Sequence, residues 1–459
     1  MTQRLRPTLI YDNGTFKPGY DLSFDPHATF AEIDPASQAM EPTRHLPGQA
    51  LLPGFVNVHS HSFQRLIRGK SESRITSGTD FWSWRGTMYH AAASLTPQDV
   101  YDVARMTFLE MVKAGTTTVG EFHYLHLAPD GKPYDDPNLL SRKVIQAAQS
   151  VGIRIVLLRS AYLRSGFELP PDPGQTRFYE TAQDFCRNTQ ALVRSFANAN
   201  AVSFGVAPHS IRAVPLAALH EIAAWARAHA LPLHMHLSEQ LAENAACLRE
   251  HGTTPIALLH RERLLGPDLT AVHAIHITDD EIAMLADAQA TICSCPTTER
   301  NLGDGIVPAD RAMRAGIRFA LGSDSQAQID PLEDARQLDY HLRLTHQQRA
   351  ILDGIAGQPI ASRLFDTATK NGARSLGLAT PNSISPDFIG VDLRDPSLAG
   401  HSADDLLPIL TFGMNRSAIR DVWVDGKQIL FNGHHPLEDE IIANYRDLHR
   451  RVWQALPHG

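Results

Sequence analysis

From residue 51 to residue 325 the chain alternates short β-rich runs with longer helical stretches, and it does so eight times. The runs are 51–61, 116–124, 153–162, 201–210, 231–239, 269–277, 290–298 and 317–325. Apolar residues at helical spacing mark the intervals, among them 97–114, 138–150, 175–198, 215–229, 278–286 and 308–315. Gly115, Gly152 and Gly316 stand just before the next run, where a helix stops most easily. Strands joined through helices pair in parallel, and eight such units close into a barrel. The expected fold class is α/β, a (β/α)8 TIM barrel.

The flanks read differently. Pro7–Tyr11 is followed by Asn13-Gly14, a hairpin signal, and Thr29–Ile33 is another short strand. Beyond the eighth run, 330–377 reads helical, and 387–393 and 421–431 read as strands, the second with a hairpin at Asp425-Gly426. Ile441, Ile442, Tyr445, Leu448, Val452 and Leu456 recur at helical spacing and make 437–456 a closing amphipathic helix. The expected organisation is a small discontinuous β-sandwich domain built from both termini. Its N-terminal part is 1–50, the barrel is 51–380, and 381–459 supplies the C-terminal part and the closing helix. A chain of 459 residues has the length for one large barrel and a smaller domain.

Composition narrows the partners. A net charge of −8 argues against nucleic acid as the main one. No apolar run reaches the roughly 18 residues of a membrane helix, and the N-terminus shows no apolar signal core, so the expected location is the cytoplasm. Cys186, Cys247, Cys293 and Cys295 fit neither a disulfide framework nor a zinc ribbon.

In such barrels the chemistry sits where the strands end. His59 and His61 close the first run and, being two apart, point the same way. The fifth run ends at His236-Leu237-Ser238-Glu239, the sixth carries His273 and His276, and the eighth ends at Gly322-Ser323-Asp324. With 23 histidines in the chain, none of these is informative alone. Asp324 alone reads as a helix cap, Glu239 as a solvated carboxylate, and His234, alternating with His236, as a structural residue. Joint placement at one end of successive strands points instead to a divalent metal with an open position for water. Asp324 and Glu239 suit the two proton tasks of such a site: holding a proton from water and delivering one to a leaving group. Cys293 and Cys295 read as small buried residues, since nothing near them in sequence would activate a thiolate.

The order HxH, His, His, Asp on strands one, five, six and eight resembles the amidohydrolase superfamily. No strand-four lysine or glutamate bridge is visible, which resembles its single-metal type. The HxxE spacing of His236 and Glu239 resembles its deaminase branch. Within that branch, PGFVNVHSHSFQR, FWSWRGTMY, GEFHYLH, APHSIRAV, HMHLSEQ, CPTTERNLGDGI and GSDS resemble the formimidoylglutamate deiminases along essentially the whole chain. The resemblance implies one divalent ion, Zn2+, held by His59, His61, His236 and Asp324. It implies Gln64 against the formimino group, with Arg85, Tyr124, His209 and Arg212 holding the substrate. Glu239, His273 and Asp324 would be catalytic, with His273 preferred to His276 on its position in the VHAxH strand.

The implied reaction turns N-formimino-L-glutamate into N-formyl-L-glutamate and ammonia, a step of histidine degradation. Guanidinium groups pair bidentately with carboxylates, which suits a small molecule carrying two of them. The FWSW aromatics are expected as packing, and the chain is expected to form a homodimer. Alternative readings are a deaminase of formiminoaspartate, a deaminase of guanine or an adenosine derivative, and a catalytically dead scaffold. One departure from the family pattern is Gln326, just after the SDS motif, where a histidine is expected; it bears on fine substrate choice and on no expected ligand.

Overall fold

The computed structural model describes residues 2–25, 30–37, 41–72, 81–167, 169, 172–378 and 386–454. The N-terminal flank contributes β1 (Gln3–Asp12), β2 (Thr15–Lys17), β3 (Tyr20–Phe24), β4 (Ala31–Pro35) and β5 (Arg44–Pro53). The barrel strands are β6 (Phe55–Ser60), β7 (Thr116–His123), β8 (Arg154–Ala161), β9 (Val202–Pro208), β10 (Leu233–Leu237), β11 (Leu269–His273), β12 (Thr291–Ser294) and β13 (Arg318–Leu321). The C-terminal flank adds β14 (Phe388–Asp392), β15 (Ile419–Val424) and β16 (Lys427–Leu430).

Strands β6 to β13 pair in sequence order and in parallel. Helices cover such strands on the outside while side chains fill the inside, so both faces are buried; β7, though rich in threonine, is buried at every position. The ring closes between first and last strands. Ser60 bridges Asp324 in parallel, Asp324 N–H donates to the His59 carbonyl at 2.9 Å, and His61 N–H donates to the Asp324 carbonyl at 3.1 Å.

The other sheet runs β16-β15-β14-β5-β1-β3-β4, with β2 on β1, and so joins the two ends of the chain. Period-two alternation gives it two apolar faces. Leu51, Phe388 and Trp423 join a small core of their own, while their neighbours Ala50, Leu52, Ile389, Val422 and Val424 join the main core beside the barrel. Stacking of Phe388 on Trp423, with ring centres 4.8 Å apart, anchors the small core. The predicted hairpin turns are both present, with Asn13, Gly14, Asp425 and Gly426 all at positive φ, as tight hairpins require. The fold is thus a (β/α)8 barrel with a small discontinuous β-sandwich domain from both termini.

Several runs differ from expectation, the eighth ending early at Leu321. The run 51–61 is two strands: Leu51–Pro53 end β5 and pair with β14, and the barrel begins at Phe55. Gly54 between them lies against Thr117, whose side chain would be 2.2 Å from a Cβ at that position, so only glycine fits the crossing. The sixth strand stops at His273, where His273 and Ala274 adopt φ of 70° and 50°. The seventh stops at Ser294, because Pro296 opens a helix to Leu302. The last helix runs Glu438–Gln454 and buries Ile441, Leu448 and Val452; the expected members Thr29 and Leu456, and the expected division at 380/381, lie outside the described residues. Among the described residues no helix is long and apolar enough to cross a membrane.

Candidate metal centre and active site

Barrel closure brings His59 and His61 onto Asp324. The nearest Asp324 oxygen, Oδ1, is 3.3 Å from His59 Nε2 and 3.4 Å from His61 Nε2. His236 enters from β10, with Nε2 at 3.1 Å from His59 Nε2. Ligand atoms of these four buried residues all lie within 4.8 Å of one another. Their tautomers follow from the far sides of the rings. His61 Nδ1 lies 2.8 Å from the Phe122 carbonyl and His236 Nδ1 lies 2.9 Å from the His209 carbonyl. A carbonyl only accepts, so both Nδ1 atoms carry the proton and both Nε2 lone pairs face inward.

Burial lowers all three imidazoles, His61 to about 3; neighbouring imidazoles lower His61 and His236 further, while Asp324 partly offsets the burial of His59. Burial alone would raise Asp324, yet the His59 hydrogen bond and the surrounding imidazoles hold it below the usual carboxylate range. Two inward-facing imidazole lone pairs, the His59 ring beside them and one ionised carboxylate fit a single divalent metal ion.

A proton-handling pair flanks this group. Glu239 Oε1 is 3.8 Å from His273 Nε2, which is 3.9 Å from Asp324 Oδ2. Burial raises Glu239, making it a carboxyl that can carry a proton. Burial opposes charge on His273, but Glu239, Glu299 and Asp324 around it raise its pKa well above the ordinary value. Backbone strain concentrates here: Ser238, His273 and Asp324 have φ of 52°, 70° and 46°, a conformation that costs a non-glycine residue about 1 kcal/mol or more. Of these, His273 and Asp324 line the cleft at the barrel mouth.

One cleft carries all the expected substrate contacts and opens onto the metal group. Gln64, Arg85, Tyr124, His209 and Arg212 line it with His61, His236, Glu239, His273 and Asp324. Gln64 Nε2 donates to the Tyr124 hydroxyl at 2.8 Å, and the buried Gln64 Oε1 has no hydrogen-bond partner. Arg85 lies 5.3 Å from the Tyr89 ring centre. Burial and then the charge of Arg212 lower Arg85, so the two guanidinium groups already repel each other. His209 serves twice: its ring lines the cleft and its carbonyl orients His236.

The amidohydrolase family model matches residues 50–429, which span the barrel, the end of β5 and the C-terminal strands of the terminal sheet. The chain belongs to the amidohydrolase family. This amidohydrolase is 35% identical over 424 residues to the formimidoylglutamate deiminase of Pseudomonas aeruginosa, covering 92% of each chain. It is 25% identical over 416 residues to a 5-methylthioadenosine/S-adenosylhomocysteine deaminase of Syntrophomonas wolfei, covering 88% of this chain and 87% of that one. Among solved structures, an amidohydrolase from Brucella melitensis matches with a TM-score of 0.90 and 30% identity, over 98% of this chain and 99% of the other.

Several residues of the amidohydrolase site escape a reading of strand ends. Glu299 holds His273, its Oε1 lying 3.3 Å from Nδ1 while accepting from Cys295 N–H at 2.8 Å. It sits one turn into a helix, past the strand, so strand-end reasoning does not reach it. Tyr162 closes the third run, and its strand-end place was a usable signal; it lines the cleft with Met88, Tyr89 and Phe178. Trp84, expected as packing, also lines the cleft, because Trp84, Arg85, Met88 and Tyr89 share one face of the helix Phe81–Ser94. The Phe81 and Trp82 side chains lie outside the described residues.

His276 faces away from the cleft, with Nε2 on the Asp304 carbonyl at 2.9 Å, and His234 is structural, with Nε2 3.1 Å from the Ser375 carbonyl. Gln326 is buried behind the metal group. Its Nε2 donates to Ser60 Oγ at 3.0 Å and to the Asp324 carbonyl at 2.7 Å, so it braces the closure of the barrel and does not line the cleft.

Proposed function

We propose that this amidohydrolase hydrolyses the C=N bond of N-formimino-L-glutamate, releasing ammonia and leaving N-formyl-L-glutamate, as a step of histidine degradation. The observation that carries the reading is the pairing of Arg85 and Arg212 on the cleft that opens onto His59, His61, His236 and Asp324. Two guanidinium groups on one cleft favour a ligand that brings carboxylates to it. The formimidoylglutamate deiminase of Pseudomonas aeruginosa, at 35% identity, supports the same substrate.

His59, His61, His236 and Asp324 would hold a divalent ion, Zn2+ in this reading, which would supply the Lewis acidity that activates water near neutral pH. Asp324, ionised, accepts the proton of the attacking water. Gln64 offers its unpartnered Oε1 to an N–H of the amidine-like group. His273, kept protonated by its carboxylate neighbours, stabilises the charge that develops at the tetrahedral carbon. Glu239, 3.8 Å from His273, carries a proton to the departing nitrogen. Arg85 and Arg212 fix the carboxylate end, with His209 and Tyr124, the latter bonded to Gln64, along the cleft, so that the carbon faces Asp324.

Ammonia release measured side by side with formiminoglutamate, formiminoaspartate, guanine and an adenosine derivative tests the reading. The highest kcat/KM is expected with formiminoglutamate. Turnover of a purine alone would overturn it.

A further inference from the structure

A second cleft lies between the turn Ser62–Ile67 and the closing helix Glu438–Gln454. Neighbouring residues of the turn serve the two clefts: Gln64 lines the active one and Arg65 the second. The walls of the second cleft are pinned together. The Tyr445 hydroxyl donates to the Arg65 carbonyl at 3.3 Å, and Trp453 Nε1 donates to the Leu66 carbonyl at 3.0 Å. Tyr445, His449 and Trp453 recur every four residues and share one face of the helix.

The lining is cationic. Arg65, Arg68 and Lys70 come from one wall, Arg446 and Arg450 from the other. Two carboxylates pair with members of this set: Glu110 with Arg65 at 2.9 Å and Arg68 at 3.0 Å, and the exposed Asp447 with Arg450 at 3.2 Å. Positive charge is therefore in excess here, on a chain whose net charge is −8. Like charges held this close in a pinned cleft raise the local potential for an anion.

We propose that this cleft binds a compact polyanion, a small molecule bearing phosphate or clustered carboxylate groups. Guanidinium forks on both walls suit oxyanions, and the concave shape suits a small one. A nucleic acid fits less well for two reasons. The aromatic faces are already covered, with Arg65 4.5 Å from the Tyr445 ring centre and Lys70 5.2 Å from that of Trp453, so they do not offer a platform for bases. A long polyanion would also meet the net negative charge of the rest of the chain.

Isothermal titration calorimetry on the metal-loaded full chain at low ionic strength tests the proposal, with inorganic phosphate and benzene-1,3,5-tricarboxylate as separate probes. Saturable binding of at least one is expected, weakened about tenfold or more in Arg446→Glu/Arg450→Glu and in Lys70→Glu. Metal content and unfolding midpoint should stay as in the unmodified chain. Phosphate binding alone assigns a phosphoryl ligand, and tricarboxylate binding alone assigns a carboxylate ligand. Absence of saturable binding by both probes, binding unmoved by the substitutions, or tighter binding of a single-stranded oligonucleotide than of either probe would overturn the proposal.

Discussion

Gln64 donates to the Tyr124 hydroxyl at 2.8 Å, which fixes the amide so that its other end, the buried Oε1, is left for a ligand on the cleft wall. Gln64 stands three residues past His61, so the turn capped by a candidate metal ligand also places an amide on the cleft wall. Gln64→Ala is expected to lower kcat/KM by about ten- to a hundredfold, the scale of one or two hydrogen bonds in a buried site. Tyr124→Phe should cost less, about three- to tenfold, since it loosens Gln64 without removing it. Steady-state ammonia release on both variants checks the order of the two effects.

Arg212 separates recognition from metal binding. Arg212→Ala should raise KM by about ten- to a hundredfold through loss of a charge-assisted carboxylate contact, with bound metal unchanged. Metal analysis alongside kinetics reads both. Loss of the metal together with activity would mean that Arg212 serves the structure and not the substrate.

His236 is the ligand that joins β10 to the first and last strands. His236→Ala should lose both bound metal and ammonia release, and chelation of the unmodified enzyme should do the same reversibly on readdition of a divalent ion. Thermal unfolding of the metal-free enzyme is expected at a lower temperature than that of the loaded form, because metal binds the folded state.

Glu121 gives a pH signature. It lies buried at the end of β7, accepting from Ser60 Oγ at 2.6 Å, Ser62 N–H at 2.7 Å and Ser62 Oγ at 2.6 Å. Burial pushes its carboxyl up to about 7, against partners that pull it down. A carboxyl with a raised pKa keeps its proton in the folded chain where the unfolded chain has lost it. Its contribution is full below the unfolded value of about 4.3 and is lost as pH rises through about 7, a loss of about 3 kcal/mol across that window. Glu121→Gln cannot ionise, so its unfolding midpoint should fall less than that of the unmodified chain between pH 5 and 8. Parallel slopes for the two proteins would show that Glu121 does not titrate in this window.

The metal group was legible because its logic is local. Strand side chains alternate, so residues two apart share a face, as His59 and His61 do; His234 shares the face of His236 but stands earlier on β10, against the Ser375 carbonyl, and a face rule alone does not set it apart. Glu299 and Trp84 were not legible in the same way, since each reaches the site from a helix whose packing against the barrel is a tertiary outcome. The split of 51–61 at Gly54 also lay beyond the pattern. Leu51–Pro53 run on into Phe55–Val58 with no charged residue between them, and only the partner strands decide which sheet each joins. The role of Gln326 depends on Ser60, 266 positions away in sequence, and a local reading saw only that it adjoined the SDS motif.

The bridge between Ser60 and Asp324 sets a schedule for the making of this enzyme. Ligands at 59, 61 and 236 are synthesised long before 324, and the last barrel strand must arrive before the ring can shut around them. The terminal sheet imposes a later deadline still, because β5 waits for β14 and so for residue 388 and beyond. Contacts so distant in sequence form slowly. A nascent chain therefore exposes three histidines to passing ions before it can hold one in its final geometry, and cofactor loading becomes the closing act of maturation. A chain cut short before residue 324 should retain folded pieces yet never acquire a working centre.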